Sequence, residues 1–179
     1  MVVIAISGKP GCGSSTAGAL LARKLGLRFY SIGKYHKSFG SSSKETERTF
    51  EAWSVKGDLK GFEHEKDELS RRLATEGNVV IEGKLSIRMN PEADLKVWLT
   101  ASDKIRAERY AKRDSISVKE AAKLLHKKEK KERETWMGVY HFDYFEQEQL
   151  ADLVIDTGTK TPEQIVDVIV KNLNDREQN

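Results

Sequence analysis

The sequence predicts an α/β fold in three layers, a five-stranded parallel sheet with helices on both faces. Three observations lead there. Five short, largely apolar runs recur along the chain, at Val2–Ile6, Leu27–Ile32, Asn78–Glu82, Leu95–Leu99 and Leu153–Asp156, the first of them continuous and β-branched. Continuous runs of this kind suit strands buried on both faces. Helix-patterned segments separate them, and each connection is long enough for a right-handed crossover between parallel neighbours. Finally, the first run ends in a glycine-rich turn, Gly8 to Gly13, and passes at once into a helix-favouring stretch, Thr16 to Leu25.

The elements follow in order. Leu27 to Ile32 is a short second strand closed by Gly33. From Lys34 to about Thr75 apolar density falls, and Gly40-Ser41-Ser42-Ser43 breaks the chain before two amphipathic helices, near Lys44–Lys56 and Glu63–Glu76. This is a helical insertion between two core strands, with Gly57 and Gly61 as its expected joints. Strands at Asn78–Glu82 and Leu95–Leu99 come next, then a helix from Ser102 to Arg113 with Ser102 as N-cap. Ser117 and Glu120 form a capping box for a highly charged helix within Asp114–Glu134, and the aromatic segment Trp136–Phe145 packs that region down. A last strand and a helix from Thr161 to Leu173, with Pro162 in its first turn, close the chain.

A chain of 179 residues predicts a single domain, 1–179. With 38% hydrophobic and 33% charged residues it reads as a globular protein of ordinary core size. No run approaches the roughly 18 apolar residues of a membrane span, and the N-terminus lacks a targeting pattern, so a cytoplasmic protein without a membrane partner is expected. One cysteine, Cys12, excludes an internal disulfide framework. Its place in the glycine turn suggests a small space-filling side chain rather than a reactive thiol. The net charge of +3 tolerates an anionic ligand but falls short of a nucleic-acid-binding stripe. A small-molecule partner and a monomer or weak dimer are expected. His36, His64, His126 and His141 show no metal-ligand spacing.

Strand, glycine turn and helix in this order make a phosphate cradle, where backbone N–H groups and the positive end of a helix converge on polyphosphate. Against the pattern G-x-x-x-x-G-K-S/T, Gly8, Gly13 and Ser15 fit, while Ser14 stands at the position of the lysine. Gly8, Lys9, Pro10, Gly11, Cys12, Gly13, Ser14, Ser15 and Thr16 are therefore the candidate phosphate-binding residues. Serine carries no charge, so a cation must come from elsewhere. Lys9 is the nearest candidate, expected to fold back over the phosphates, and a solvated loop lysine is the alternative.

In a parallel sheet the ligand lies at the carboxyl ends of the strands. Those ends carry the loop, Ser31 to Gly33, and Glu82-Gly83-Lys84. Polyphosphate transfer requires a magnesium ion, cations around the transferred group and an acceptor held in line. Ser15 can place its hydroxyl on Mg2+ and Glu82 can hold a magnesium-bound water, unless Glu82 is only an acid in a turn. Gly83, Lys84 and Arg88 would face an acceptor on one side, with Gly33 and Lys37 on the other. Arg106, Arg109 and Arg113 share one helix face, which favours a phosphate-facing role for at least one; pairing with Asp103 and Glu108 is the alternative for each. Lys127 to Glu134 has opposite charges at helical spacing, the pattern of a solvated face.

Several stretches together resemble the archaeal type of cytidylate kinase, within the P-loop nucleoside monophosphate kinases. They are Ile4–Gly8 with its loop, Tyr30–Gly33, Asn78–Leu85, Ala93–Leu99, Arg106–Arg109 and Asp152–Thr157, nearly the whole length of the chain. The resemblance implies a P-loop kinase fold and transfer of the γ-phosphoryl of ATP to CMP or dCMP with Mg2+. It also implies a monophosphate-binding arm at 34–75 and a lid at 114–137. Hydroxyl residues in place of the loop lysine are similar to archaeal members. Elsewhere Lys37 and Lys84 stand where the family pattern has arginine, Thr135-Trp136 where it has Arg-Tyr, and Ser70 where it has glutamine. Lysine keeps the charge but loses the bidentate fork. Lys9, Arg109, Arg113 and Arg133 are the expected cations of the transfer step, Arg133 or its neighbouring lysines acting for the lid. Two other readings are a P-loop kinase for another small acceptor, and a catalytically weak nucleotide-binding module that contacts RNA or a protein.

Overall fold

The computed structural model describes residues 1–55 and 57–177. Five strands form one sheet: β1 (Val3–Gly8), β2 (Arg28–Ser31), β3 (Val79–Glu82), β4 (Leu95–Thr100) and β5 (Leu153–Asp156). All are parallel, in the order β2-β3-β1-β4-β5. β1 is central and buried along its whole length, as its unbroken apolar run requires. It pairs Ile6 with Glu82 on β3 and Ser7 with Trp98 on β4, so the glycine loop and Glu82 leave the sheet side by side.

The helices are α1 (Ser14–Leu25), α2 (Ile32–Lys37), α3 (Glu45–Val55), α4 (Leu59–Glu76), α5 (Ser86–Met89), α6 (Asp103–Asp114), α7 (Val118–Tyr140) and α8 (Pro162–Glu177), with a 3-10 helix at Tyr144–Leu150. Side-chain alternation along β4 sends Leu95, Val97 and Leu99 into a core with Ile4, Ile6, Leu21 and Ile169, beneath α1 and α8. Trp98 points the other way, into a second core of Ile87, Trp136, Phe142 and Tyr144. The predicted three-layer architecture is the one observed.

Boundaries differ where local hydrogen bonding overrides the apolar pattern. Ile32 opens α2 instead of ending β2, because the Ser31 hydroxyl caps that helix by accepting from the Lys34 N–H at 3.2 Å. Gly61 is no joint: it lies in the first turn of α4, which starts at Leu59 after Asp58 accepts from the Gly61 N–H at 3.0 Å. Gly57, with φ +63°, does mark the break between α3 and α4. Of the predicted helix Lys44–Lys56, Lys56 lies outside the described residues. The charged helix continues through Trp136 as a single 23-residue α7, ending at His141 in the left-handed conformation. Among the described residues no helix is long and apolar enough to cross a membrane.

Candidate active site

The loop is shaped by close packing at its base. A Cβ on Gly8 would lie 2.3 Å from the Leu99 carbonyl oxygen and 2.8 Å from Cys12 Sγ, so only glycine fits between β1 and β4. Gly13, at φ 93°, turns the chain into α1 with no side-chain cap and no acidic residue in the first turn. The first N–H groups of α1 and its positive end are thereby left for an anion. Cys12 is buried in the core beneath, and burial pushes its thiol pKa up, which fits the space-filling reading.

Glu82 anchors the site's polar floor. Its two oxygens accept from the hydroxyls of Ser14 at 2.7 Å and Ser31 at 2.6 Å, and it is 6% exposed. Ser14, at the usual lysine position, therefore turns toward the carboxylate. Lys84 donates to the Gly8 carbonyl at 2.6 Å, fixing the loop's entrance. Below the loop Arg109 donates to the carbonyls of Gly11, Cys12 and Thr157, at 3.4, 3.2 and 2.7 Å, and to Thr157 Oγ1 at 2.9 Å. A guanidinium that binds this many carbonyls holds the loop's N–H groups facing the opposite way. Arg106 is buried against Pro10 O at 3.1 Å and pairs with Asp103 at 2.6 Å and with Glu129, so for this arginine the pairing alternative is the one observed.

These groups open onto a cavity of about 520 Å³, within the range of small-ligand sites. Pro10 to Thr16, Gly33, Lys37, Glu82 to Lys84, Arg109 and Arg113 all line it. Its other end is enclosed by side chains from α2, α3, α4 and α7, among them His36, Thr49, Trp53, Glu63, Lys66, Asp67, Lys128, Glu132 and Trp136. Glu63 is 1% exposed and accepts from three donors: Lys66 at 2.6 Å, the Trp136 indole at 2.9 Å and the Trp53 indole at 3.2 Å. Asp67, one turn on, accepts from the Tyr140 hydroxyl, and burial raises its pKa. His36 packs on Phe62 and Trp53, with Nδ1 3.2 Å from Lys66 Nζ and Nε2 3.0 Å from the Thr49 carbonyl. The lysine donates to Nδ1, so the proton sits on Nε2 and is given to Thr49. Burial, reinforced by Lys66, lowers the His36 pKa to about 4, and the ring is neutral at pH 7.

The family model described as the cytidylate kinase-like family matches residues 3–159. The chain belongs to the cytidylate kinase-like family. It is 34% identical to the cytidylate kinase of Pyrococcus horikoshii, over 94% of this chain and 86% of that one. To the cytidylate kinase of Ignicoccus hospitalis it is 35% identical, over 97% of this chain and 99% of the relative. Among solved structures, a shikimate kinase from Acinetobacter baumannii in complex with shikimate superposes with a TM-score of 0.67 at 17% identity, over 100% of this chain and 96% of that one. A shikimate kinase from Bacteroides thetaiotaomicron gives 0.63 at 18% identity, over 97% and 98%. At such identities these structures establish the P-loop kinase fold alone.

As a cytidylate kinase-like chain it leaves four expected residues outside the cavity lining, Gly8 at the packed base of the loop and three charged side chains. Lys9 does not fold back over the loop; its ammonium sits 5.0 Å from the centre of the Phe145 ring. Arg133 packs on the same ring from 5.2 Å and pairs with Asp143. An aromatic ring offers each a cation–π partner that pulls it away from the site. Arg88 stacks on Phe142 at 4.1 Å, while its N–H donates to Gln147 at 3.1 Å. Conversely, the charged residues of the cavity's far end were not among those singled out from the sequence. Their signal is the run Glu63, Lys66, Asp67, Ser70, polar residues at the spacing of a buried helix face.

Proposed function

We propose that this protein is an ATP-dependent nucleoside monophosphate kinase acting on CMP or dCMP. The observation that carries the reading is a single cavity with two unlike ends, an uncapped helix terminus in a glycine loop at one and an enclosure of indoles and buried polar groups at the other. Membership of the cytidylate kinase-like family supports the acceptor. The loop's N–H groups from Gly11 to Thr16 would take the β- and γ-phosphates of ATP, with Lys84 and Arg113 adding charge and Arg109 pinning the loop. The acceptor phosphate would approach between Gly33 with Lys37 and Gly83 with Lys84. Segments 34–75 and 114–137 would act as arm and lid, closing to exclude water that would otherwise consume ATP.

The donor set fits magnesium. Hard oxygen ligands suit this ion, which keeps several waters and shares its shell with phosphates. Ser15 would hold it through its hydroxyl, and Glu82 through a bound water, since each Glu82 oxygen keeps lone pairs beyond its serine bond. When bound, the ion supplies charge neutralisation between the phosphates. We further propose a cytoplasmic location, where both nucleotides are available.

The test is a panel of nucleoside monophosphates with ATP and Mg2+, followed by separation of products. CDP and dCDP should form fastest. If UMP, AMP and GMP all outrun CMP, the acceptor is wrong, and if no monophosphate is phosphorylated, the kinase reading falls.

A further inference from the structure

Arg106 is 2% exposed, yet three parts of the chain meet on its guanidinium. Nη1 donates to the Pro10 carbonyl of the glycine loop at 3.1 Å and to the Glu129 carboxylate of α7. Nη2 donates at 2.6 Å to Asp103, in the first turn of α6. The two hydrogens of Nη1 are thus divided between the loop and α7.

The two carboxylates are not equivalent. The Asp103 side chain is 92% exposed and that of Glu129 only 16%. Exposed ion pairs contribute little, whereas a buried charge depends on the partner that shares its low-dielectric surroundings. The counter-charge that keeps Arg106 inside the protein therefore comes from α7. Packing builds the same seam. Ala121 and Leu125, one and two turns before Glu129 on α7, pack on Tyr110 and Ala111 of α6. Gly11 rests on that part of α6 from the other side; an added Cβ would meet the Arg106 carbonyl oxygen at 3.1 Å and the Tyr110 ring at 3.2 Å.

In a trans peptide the carbonyl and the N–H point opposite ways. Holding the Pro10 carbonyl against α6 directs the Gly11 N–H away from it, to the side where both residues line the cavity. An anion on that N–H polarises the peptide and makes the Pro10 carbonyl a stronger acceptor. The nitrogen that responds is the one Glu129 shares.

We propose that Arg106 is a positioning residue: it orients the Pro10–Gly11 peptide for the phosphates of ATP and, through Glu129, ties occupancy of the loop to the placement of the lid helix. This deepens the nucleoside monophosphate kinase reading and rests on it. Such coupling is reciprocal, so ATP on the loop steadies α7, and a severed link leaves α7 indifferent to ATP.

Hydrogen exchange of the α7 amides, with and without ATP and Mg2+, tests it on wild type, Glu129→Gln and Asp103→Asn, with ATP affinity measured by calorimetry. In wild type ATP should slow exchange across residues 121–134 by about fivefold or more. Glu129→Gln keeps the size and an acceptor but removes the charge; the slowing should fall below about twofold, while Kd for ATP rises no more than about threefold because Pro10 keeps its hydrogen bond. Asp103→Asn loses only the exposed partner and should retain the full response. A role confined to packing predicts faster exchange in Glu129→Gln with and without ATP alike, and an unchanged ratio overturns the proposal. So does an equal loss of response in Asp103→Asn, or a wild-type α7 that ignores bound ATP. Should α7 fray in Glu129→Gln even without ATP, Arg106→Lys reads the same link. It keeps the positive charge but replaces the fork with one shorter ammonium, and a wild-type ratio there overturns the proposal equally. Calorimetry showing no ATP binding by wild type would instead strike the kinase reading itself.

Discussion

The two ends of the cavity are built by opposite means. At the glycine loop the binding groups are backbone N–H groups, held by a turn of five residues between β1 and α1 and pinned from below by Arg109. At the acceptor end they are side chains carried in by four helices, and the charges there are buried and mutually neutralising. A main-chain site depends little on any one side chain, which is why Ser14 can stand where a lysine is usual. A side-chain site depends on every member of its network, because each partner removed strands the others in a low-dielectric interior.

The largest effect that separates the two ends should come from Glu63→Ala. This change orphans the buried Lys66 ammonium and Trp136 indole together with the half-buried Trp53 indole. Breaking a buried pair from one side costs about 3–5 kcal/mol. Urea unfolding should show a loss of that size, and CMP binding should fall with it. A loss below about 1 kcal/mol would mean that the acceptor end is as tolerant as the loop.

The pH dependence sharpens the same contrast. His36 has a pKa near 4 in the folded protein against 6.5 in the unfolded chain. The unfolded state therefore binds the proton more readily between those values, and stability rises with pH across that window. The contribution is complete above about pH 6.5 and is lost as pH falls toward 4. At 1.36 kcal/mol per unit, moving from pH 7 to pH 5 should remove about 2 kcal/mol. Urea melts of wild type and His36→Asn at both pH values would check this; a variant with the same pH slope as wild type would remove His36 from the explanation.

At the other end, Gly13→Ala should act through backbone conformation alone. The nearest atom to an added Cβ is Arg109 Nη1 at 4.0 Å, so there is room, and the cost is that of placing an L-residue at φ 93°. That strain is about 1–2 kcal/mol. ATP affinity should drop several-fold with KM for CMP nearly unchanged. Equal losses for both nucleotides would show that the two ends are mechanically coupled.

This difference in construction also decided what could be read from the sequence. Gly8, Gly13 and Ser15 fall at fixed spacing at the tip of an apolar strand, and Glu82 ends another, so the parallel sheet and the loop's position at its edge of strand tips follow from local patterns. The acceptor end has no such local code. Glu63, Lys66, Asp67 and Ser70 occupy the face of α4 that periodicity would assign to the core, but charged residues there look like a solvated stripe until Trp53 and Trp136 are known to cover them. Likewise Lys128 extends the buried stripe of Ala121 and Leu125 along α7, yet it sits among lysines that face water. Pairing across more than 70 residues, as between Trp136 and Glu63, is a property of the folded chain.

The smallest effect should belong to Arg133, which the family pattern and charge run made a natural lid cation. Its side chain is about half exposed, bound to Asp143 and lying on Phe145, and it does not line the cavity. Exposed ion pairs contribute about 0–1 kcal/mol. Arg133→Ala should therefore leave kcat and both KM values within about twofold of wild type, with at most a small shift in melting temperature. A tenfold fall in kcat for Arg133→Ala would show that α7 rotates on closure to bring its outer face inward.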